Sequence, residues 1–155
     1  VVLLMLPIGF AGDGDADGLE LRPLPPLNML LLVSPEHPLA GRTDCTRENV
    51  TDHIEIVVRD SSPAFTSAPR QTFMKSRNVM YLSDFYAKKA ALLQGAGFGW
   101  VPEHLVEQEI SAGKLVPLPV DGRWQWTYYP QLACREDQPL GRAARHFIDA
   151  LMSNI

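Results

Sequence analysis

The sequence has no cluster of basic residues, and this absence excludes one class of function at the outset. Its 155 residues include 14 Lys and Arg against 18 Asp and Glu, so the formal net charge is −4. Proteins that bind nucleic acids neutralise a row of phosphates with closely spaced Lys and Arg side chains. We therefore expect this chain not to bind nucleic acid by itself.

Motifs built on cysteine and histidine are equally scarce. Cys45 and Cys134 are the only cysteines and lie far apart in the sequence, so one bridge is open but free thiols are expected. The four histidines show neither the H-E-x-x-H pattern nor a paired spacing with cysteine, so no metal site is predicted. Since no catalytic set stands out either, we predict a binding protein that is not an enzyme and needs no cofactor.

No apolar run is long enough to cross a membrane. The run at residues 1–6 (VVLLML) ends before Pro7 and has no basic segment in front of it, so it predicts a buried strand and not a signal peptide. We expect a soluble, cytoplasmic protein that does not bind membranes. Because the first residue is Val1 and not Met, we expect the natural N-terminus to lie upstream.

Apolar segments of strand length alternate with amphipathic segments along the chain. Strands are predicted at residues 1–6, 19–24, 28–33, 53–58, 79–82, 98–101, 114–118 and 126–133. Helices are predicted at residues 46–50, 68–76, 84–94, 102–112 and 140–152. Their termini carry local signals, with Thr46 and Ser83 as N-caps, Pro102 as a first helical residue, and Gly95 and Gly113 as stops. This alternation predicts an α/β fold with a mostly parallel sheet.

Three short patterns resemble functional motifs but fail at a required position. Residues 13–18 (DGDADG) match the first half of a calcium loop, yet Leu24 stands where the bidentate Glu belongs. Residues 95–99 (GAGFG) follow a helix, and their third glycine comes one place too early for a dinucleotide-binding loop. Ser111 of an S-x-x-K sequence ends a helix, whereas the nucleophile of that motif begins one. We interpret these patterns as a solvated turn, a helix stop and a helix end.

Three longer segments carry a family resemblance. Residues 19–42 (LELRPLPPLNMLLLVSPEHPLAGR) hold two strands followed by His-Pro-Leu. Residues 92–119 (LLQGAGFGWVPEHLVEQEISAGKLVPLP) hold Gly-x-Gly, a proline and Gly-x-Leu-Val. Residues 132–151 (LACREDQPLGRAARHFIDAL) hold Pro-Leu and an amphipathic helix. In this order, the segments resemble the effector-binding domain of LysR-type transcriptional regulators.

The resemblance implies a two-lobed α/β fold like that of the type 2 periplasmic solute-binding proteins. Lobe two would comprise residues 29–125, and lobe one would comprise residues 1–28 and 126–155, with its first strands and helices missing. The resemblance also implies a small-molecule effector in the cleft between the lobes and a homodimer or homotetramer of the full-length protein. DNA would be contacted only through a winged helix-turn-helix that this sequence lacks.

The residues themselves place a binding site at the carboxyl ends of the strands, where open α/β sheets hold their ligands. The candidates that follow strands 53–58 and 79–82 are Arg59, Ser61, Ser62, Ser83, Phe85 and Tyr86. An arginine beside serine hydroxyls suits a carboxylate or another anionic effector, and Phe85 or Tyr86 suits an aromatic one. Ordinary turn and capping chemistry would explain the same residues.

Two other functions fit an α/β chain. A transport-linked solute-binding protein shares the fold but needs a signal peptide, and an enzyme needs a catalytic set. The effector domain of a regulator is the reading that the three segments favour. A helix-turn-helix in the natural upstream sequence would identify the regulator, and a signal peptide would identify the transport protein.

Overall fold

The computed structural model of the protein describes residues 4–6, 18–59, 74, 76–137 and 139–153. The start of the first predicted strand, most of the Gly/Asp loop and most of the predicted helix at 68–76 lie outside these residues. The strands are β1 (Leu4–Leu6), β2 (Leu19–Pro23), β3 (Leu27–Val33), β4 (Ile54–Val58), β5 (Asn78–Leu82), β6 (Phe98–Pro102), β7 (Val116–Pro117), β8 (Gln125–Tyr128) and β9 (Gln131–Arg135). The helices are α1 (Arg47–Val50), α2 (Phe85–Leu93), α3 (Glu107–Ser111) and α4 (Arg142–Ser153), with a 3-10 turn at Glu103–Leu105.

The chain divides into two compact units. The terminal unit consists of Val1–Leu27 and Thr127–Ile155, and the central unit consists of Asn28–Trp126. The central unit is therefore one continuous stretch, whereas the terminal unit is assembled from both ends of the sequence. The identification of these units with the two predicted lobes stays a prediction.

The central unit is built on a mixed sheet with the strand order β5-β4-β6-β3-β7, and β8 pairs with β3. β4 runs parallel to β5 and β6, whereas β3 runs antiparallel to β6 and β7. The prediction of a mostly parallel sheet is therefore wrong. β5 and β6 lie on the two sides of β4, and helix α2 connects them. This helical crossover explains why β5, β4 and β6 are parallel. The alternation of helices and strands does not fix the direction of β3, through which the chain enters this unit.

Strand β3 shows why the central unit has a substantial core. Residues 29–33 are all buried, as expected for a continuous apolar run in the interior of a sheet. Leu30 and Leu32 share a cluster with Ile56 of β4 and Leu92 of α2. Because side chains alternate along a strand, Leu31 points to the opposite face, where it is also fully buried. Apolar side chains thus cover both faces of β3.

The terminal unit has a smaller antiparallel sheet with the order β1-β9-β2. Its described core cluster consists of Leu132 and Cys134 of β9 and Ile148 of α4, with Leu24 and Leu140 packed against it. Among the residues of α4, only Ile148 is buried, so the helix contributes one stripe to this core. Cys134 here and Cys45 in the central unit are both buried and free, as predicted.

The single strand predicted at residues 126–133 is wrong, because the structure has two strands there. β8 pairs with β3, whereas β9 pairs with β1 and β2 in the other sheet. Pro130 lies between them and has no N–H group to donate to a ladder. Its carbonyl oxygen accepts a hydrogen bond from the Leu24 N–H at 2.9 Å. The apolar pattern continues through this proline, which is why the sequence does not show the break.

Most helix signals are confirmed. Thr46 caps α1 in a reciprocal box, since its hydroxyl oxygen accepts from the Asn49 N–H at 3.3 Å and Asn49 Oδ1 accepts from the Thr46 N–H at 2.9 Å. Gly95 and Gly113 follow α2 and α3 with φ values of 70° and 67°. This left-handed conformation favours glycine and ends a helix.

The prediction for Pro102 is wrong. Pro102 is the last residue of β6, with φ −59° and ψ 130°, and not the first residue of a helix. Its ring fixes φ near a value that extended and helical backbones share, so only ψ distinguishes the two. The chain then makes the 3-10 turn at Glu103–Leu105 before α3 begins. None of the described helices is long and apolar enough to span a bilayer.

Candidate functional site

The carboxyl ends of β4 and β5 lie side by side. The two strands are parallel, with Val58 opposite Leu82, so both end at the same edge of the sheet. The Arg59 N–H donates to the Leu82 carbonyl oxygen at 2.9 Å and extends the pairing one residue beyond β4. The backbones at Arg59 and Ser83 are thereby brought together, as expected for parallel neighbours.

The Arg59 side chain lies over an aromatic ring that was not among the candidates. Its guanidinium carbon is 5.7 Å from the centroid of the Tyr81 ring, which is a cation–π distance. Tyr81 is 50% exposed, whereas Met80 and Leu82 beside it pack against the core cluster of the central unit. Strand alternation could have found Tyr81, because it places this ring on the opposite face from Met80 and Leu82.

The Ser83 hydroxyl is used in the capping of α2, but Ser83 is not the N-cap. Asp84 is the N-cap, and its Oδ1 accepts from the Ala87 N–H at 2.8 Å. The Ser83 hydroxyl donates to Asp84 Oδ2 at 2.7 Å. The Ala87 N–H and then the Ser83 hydroxyl hold the pKa of Asp84 below its usual value. The prediction of Ser83 as N-cap is wrong because the neighbouring carboxylate, a stronger acceptor, takes that position.

The two aromatic candidates differ in their surroundings. Phe85 is partly buried and packs against the core cluster of the central unit. Tyr86 is 70% exposed. Consecutive residues of a helix point about 100° apart, so one side chain serves the core while the other faces solvent. Ser61 and Ser62 lie outside the described residues.

A buried lysine lies one turn beyond Phe85 and was not predicted. Lys88 is 4% exposed, and its Nζ is 6.0 Å from the centroid of the Phe85 ring. Burial lowers the pKa of Lys88 from 10.5 to about 8, although the nearby Glu55 carboxylate acts in the opposite direction. A methyl group on Gly99 would lie 2.7 Å from Lys88 Cε, so the absence of a side chain there makes room for the lysine.

Glu55 is the buried acidic neighbour of this lysine. It is 1% exposed, and its two carboxylate oxygens accept from the Met74 N–H at 2.7 Å and the Ser76 N–H at 3.2 Å. These hydrogen bonds solvate the carboxylate in place of water. Glu55 and Lys88 are thus two buried groups of opposite charge, and the Glu55 carboxylate favours the ammonium form of Lys88.

The central unit also contains a cavity of about 770 Å³, within the usual range for small-molecule sites of about 300–1,000 Å³. Its described lining consists of Arg47, Met74, Trp100, Val120, Asp121, Arg123, Gln125 and Trp126. None of the four predicted residues that the structure describes, Arg59, Ser83, Phe85 and Tyr86, is among them. The lining residues come from four separate segments, so their convergence could not be seen in the sequence. Among the described residues, no group of three or more His, Cys, Asp or Glu side chains could hold a metal ion.

Comparison with known proteins identifies one family. Over residues 3–155, the chain matches the family described as LysR substrate binding domain. It is 30% identical over 113 residues to the HTH-type transcriptional activator AllS of Klebsiella pneumoniae, covering 72% of this chain and 42% of that protein. It is 26% identical over 160 residues to the RuBisCO operon transcriptional regulator of Allochromatium vinosum, covering 91% and 51%. The chain thus spans about half the length of these curated relatives.

Solved structures agree with this match. The regulatory domain of CcmR from Synechocystis PCC6803 in complex with 2-PG is 18% identical with a TM-score of 0.63, covering 97% of this chain and 72% of that chain. The regulatory domain of an AphB variant from Vibrio vulnificus is 18% identical with a TM-score of 0.65, covering 98% and 74%. At this identity the likeness shows the fold. It confirms the predicted α/β class, the type 2 periplasmic-binding-protein-like fold of LysR regulatory domains.

Proposed function

Since the chain belongs to the LysR substrate binding domain family, we propose that it is the effector-sensing part of a longer LysR-type transcription regulator. The family match over residues 3–155 is the observation that carries this proposal, and the two curated relatives, both transcription regulators, support it. The role is binding and not catalysis. A transport-linked solute-binding protein is not favoured, because the curated relatives found are regulators.

The DNA contact would be made by a part of the regulator outside this chain. The net charge of −4 disfavours the binding of this chain to a row of phosphates. A homodimer or homotetramer in the cytoplasm is the assembly we propose for the full regulator. In a gel-shift assay at physiological salt, the 155-residue chain alone should show no saturable, sequence-dependent binding to DNA, and such binding would contradict this assignment.

We place the effector against the ends of β4 and β5. The parallel register that brings Arg59 next to Ser83 supports this location, because the exposed Arg59 guanidinium there can hold an anion. The exposed ring of Tyr86 offers a surface for an aromatic group. Of the four predicted residues that the structure describes, Arg59, Ser83 and Tyr86 are exposed, although the Ser83 hydroxyl serves the capping of α2, and Phe85 packs against the core.

The cavity bounded by Trp100, Arg123 and Trp126 is the rival location. It combines aromatic and cationic side chains, which suits the same chemical class of ligand. An experiment on the effector must therefore compare the two places directly.

The test begins with a thermal-shift screen of the full regulator against organic anions and aromatic acids. The screen also contains 2-PG and arginine, which are bound in structures of CcmR from Synechocystis and of LysG from Corynebacterium glutamicum. For a compound that binds, calorimetry on Arg59→Ala should show a loss of about 1.5–3 kcal/mol, roughly a tenfold to hundredfold weaker Kd. Arg123→Ala, the matched control at the cavity, should bind as the parent does.

The outcomes separate the function from the site. If Arg123→Ala loses affinity and Arg59→Ala does not, the effector occupies the cavity. If Arg59, Ser61 and Tyr86 can each be replaced without loss, the location at the strand ends is wrong. Failure of the regulator to change its DNA binding with any bound compound would contradict the sensing role itself.

A further inference from the structure

Two histidines meet in the central unit, and the proposed function uses neither. His37 lies in the turn that follows β3, and His53 comes directly before β4. Their ring centroids are 5.2 Å apart, with 59° between the ring planes. The contact joins the chain on the two sides of α1, since one histidine precedes this helix and the other follows it.

The His37 side chain stabilises the turn in which it lies. Its Nδ1 accepts a hydrogen bond from the Leu39 N–H at 3.2 Å. The backbone closes around it, because the His37 N–H donates to the Ser34 carbonyl at 3.0 Å and the Ala40 N–H donates to the His37 carbonyl at 2.8 Å. Leu39 is fully buried, so this turn delivers an apolar side chain into the core. His37 must therefore be neutral, with its proton on Nε2.

Protonation of His37 is incompatible with this arrangement. An imidazolium carries a proton on both ring nitrogens, so Nδ1 would present a donor to the Leu39 N–H. Two donors cannot share a hydrogen bond, and the buried amide of Leu39 would lose its acceptor. The bond must open when the ring becomes charged.

The surroundings of His37 do not compensate a positive charge. Burial, and then the charge on His53, lower the pKa of His37. The acidic residues near the two histidines in the sequence do not raise the pKa of His37 again. Glu36 is exposed, and Asp52 is paired with Arg77 at 2.9 Å. No described carboxylate offsets the cost of charging this ring.

We propose that His37 and His53 form an acid-sensitive latch, in which protonation of His37 by solvent breaks the Leu39 hydrogen bond and opens the turn of residues 34–40. The latch connects the end of β3 to the beginning of β4. Mild acid would thus loosen the segment that leads into α1 and release Leu39 from the core. The latch does not depend on where the effector binds.

The test is NMR spectroscopy of the 155-residue chain across about pH 7.5 to 5. At neutral pH, the nitrogen shifts of His37 should report the Nε2–H tautomer. Protection of the Leu39 amide against hydrogen exchange should fall by about tenfold per pH unit once the pH is below the ordinary imidazole pKa of about 6.5. This slope is expected because the open turn then binds a proton that the closed turn does not.

Three variants sharpen the test. His37→Asn keeps a side-chain acceptor near the position of Nδ1 but cannot be protonated, so Leu39 should stay protected and lose its dependence on pH. His53→Gln removes the neighbouring charge, so the protonation of His37 in the closed turn should move to higher pH. His104→Asn, at an exposed position outside the turn, should change neither property.

Two results would overturn the proposal. One is a Leu39 amide that stays protected while His37 is protonated. The other is an unchanged acid transition in His37→Asn. If His37→Asn fails to fold, the direction of the shift in His53→Gln still decides, because a transition that stays in place or moves to lower pH contradicts the latch.

Discussion

Strands β3 and β6 of the central unit are buried more deeply than β2 of the terminal unit. Every residue of β6 and most residues of β3 in the central unit are buried, whereas β2 in the terminal unit alternates between half-buried and exposed residues. A strand covered on both faces must be apolar throughout and must contain small residues where neighbours approach closely. The comparison teaches that β3 and β6 tolerate few substitutions, while the described residues of the terminal unit form one small core cluster.

The largest expected effect compares two fully buried leucines. Leu32→Ala in β3 and Leu132→Ala in β9 each remove a side chain that is 0% exposed. Large-to-small substitutions of this kind cost about 2–5 kcal/mol, with more where the surroundings cannot collapse. We expect Leu32→Ala to lie near the upper end and Leu132→Ala near the lower end in urea denaturation. If both substitutions lower the free energy of unfolding equally, the predicted difference between the two cores is wrong.

A second prediction concerns the buried charge of Lys88 in the central unit. The terminal unit has no counterpart, because it contains no lysine. The pKa of Lys88 is lowered from 10.5 to about 8, so the folded protein disfavours the ammonium form. This unfavourable free energy is fully present below the folded-state pKa and disappears as the pH rises to the unfolded-state value. The stability of the parent relative to Lys88→Met should therefore rise by about 3 kcal/mol across this window.

Urea denaturation of both proteins at several pH values between about 7 and 10.5 checks this. A difference that stays constant with pH would mean that Lys88 titrates normally in the folded protein. Lys88→Leu, a second neutral variant of different shape, should show the same pH dependence even if its packing changes the absolute stability.

The third prediction compares two glycines. A methyl group on Gly99 in β6 would lie 2.6 Å from the Ile56 carbonyl oxygen and 2.7 Å from Lys88 Cε. Gly99→Ala should therefore destabilise by about 1–3 kcal/mol through forced shifts in a close-packed region. Gly141→Ala in the terminal unit is the control, because nothing lies within 4 Å of the added methyl group. A cost at Gly141 as large as that at Gly99 would contradict the packing argument.

The smallest effect is expected at the start of α1. This helix has only four residues and relies on the Thr46 cap, whereas α4 of the terminal unit has twelve residues. Thr46→Ala should cost about 1 kcal/mol, because the Asn49 N–H loses its acceptor. Thr46→Ser keeps a hydroxyl and should recover most of this loss in thermal unfolding. No difference between Ala and Ser would mean that the cap does not contribute.

The sequence predicted features whose causes are local. The cap at Thr46 and the stops at Gly95 and Gly113 follow from single residues, and β3 follows from an uninterrupted apolar run. The break at Pro130 was missed because the apolar pattern continues on both sides of the proline. The direction of β3 was missed because it depends on partners far away in the chain.

The candidate site shows the same division. The parallel register of β4 and β5 brings Arg59 close to Ser83, as neighbouring strand ends predict. Ser83 and Asp84 are both good capping residues, so composition alone could not tell which one takes the position. Lys88 looked like a polar residue of an amphipathic helix, and only the missing side chain of Gly99 explains its burial. The cavity residues come from separate segments, so the sequence did not predict that they line one cavity.

The position of β9 between β1 and β2 has a consequence for synthesis on the ribosome. β1 and β2 are made before the central unit, whereas β9, the strand that pairs with both of them, is made after it. The continuous central unit can fold as soon as its own residues are available, because domains fold as units during translation. β1 and β2 must then wait for β9 while the central unit is already folded. Nascent chains that end before residue 131 should therefore leave the backbone edges of β1 and β2 that pair with β9 open to chaperones.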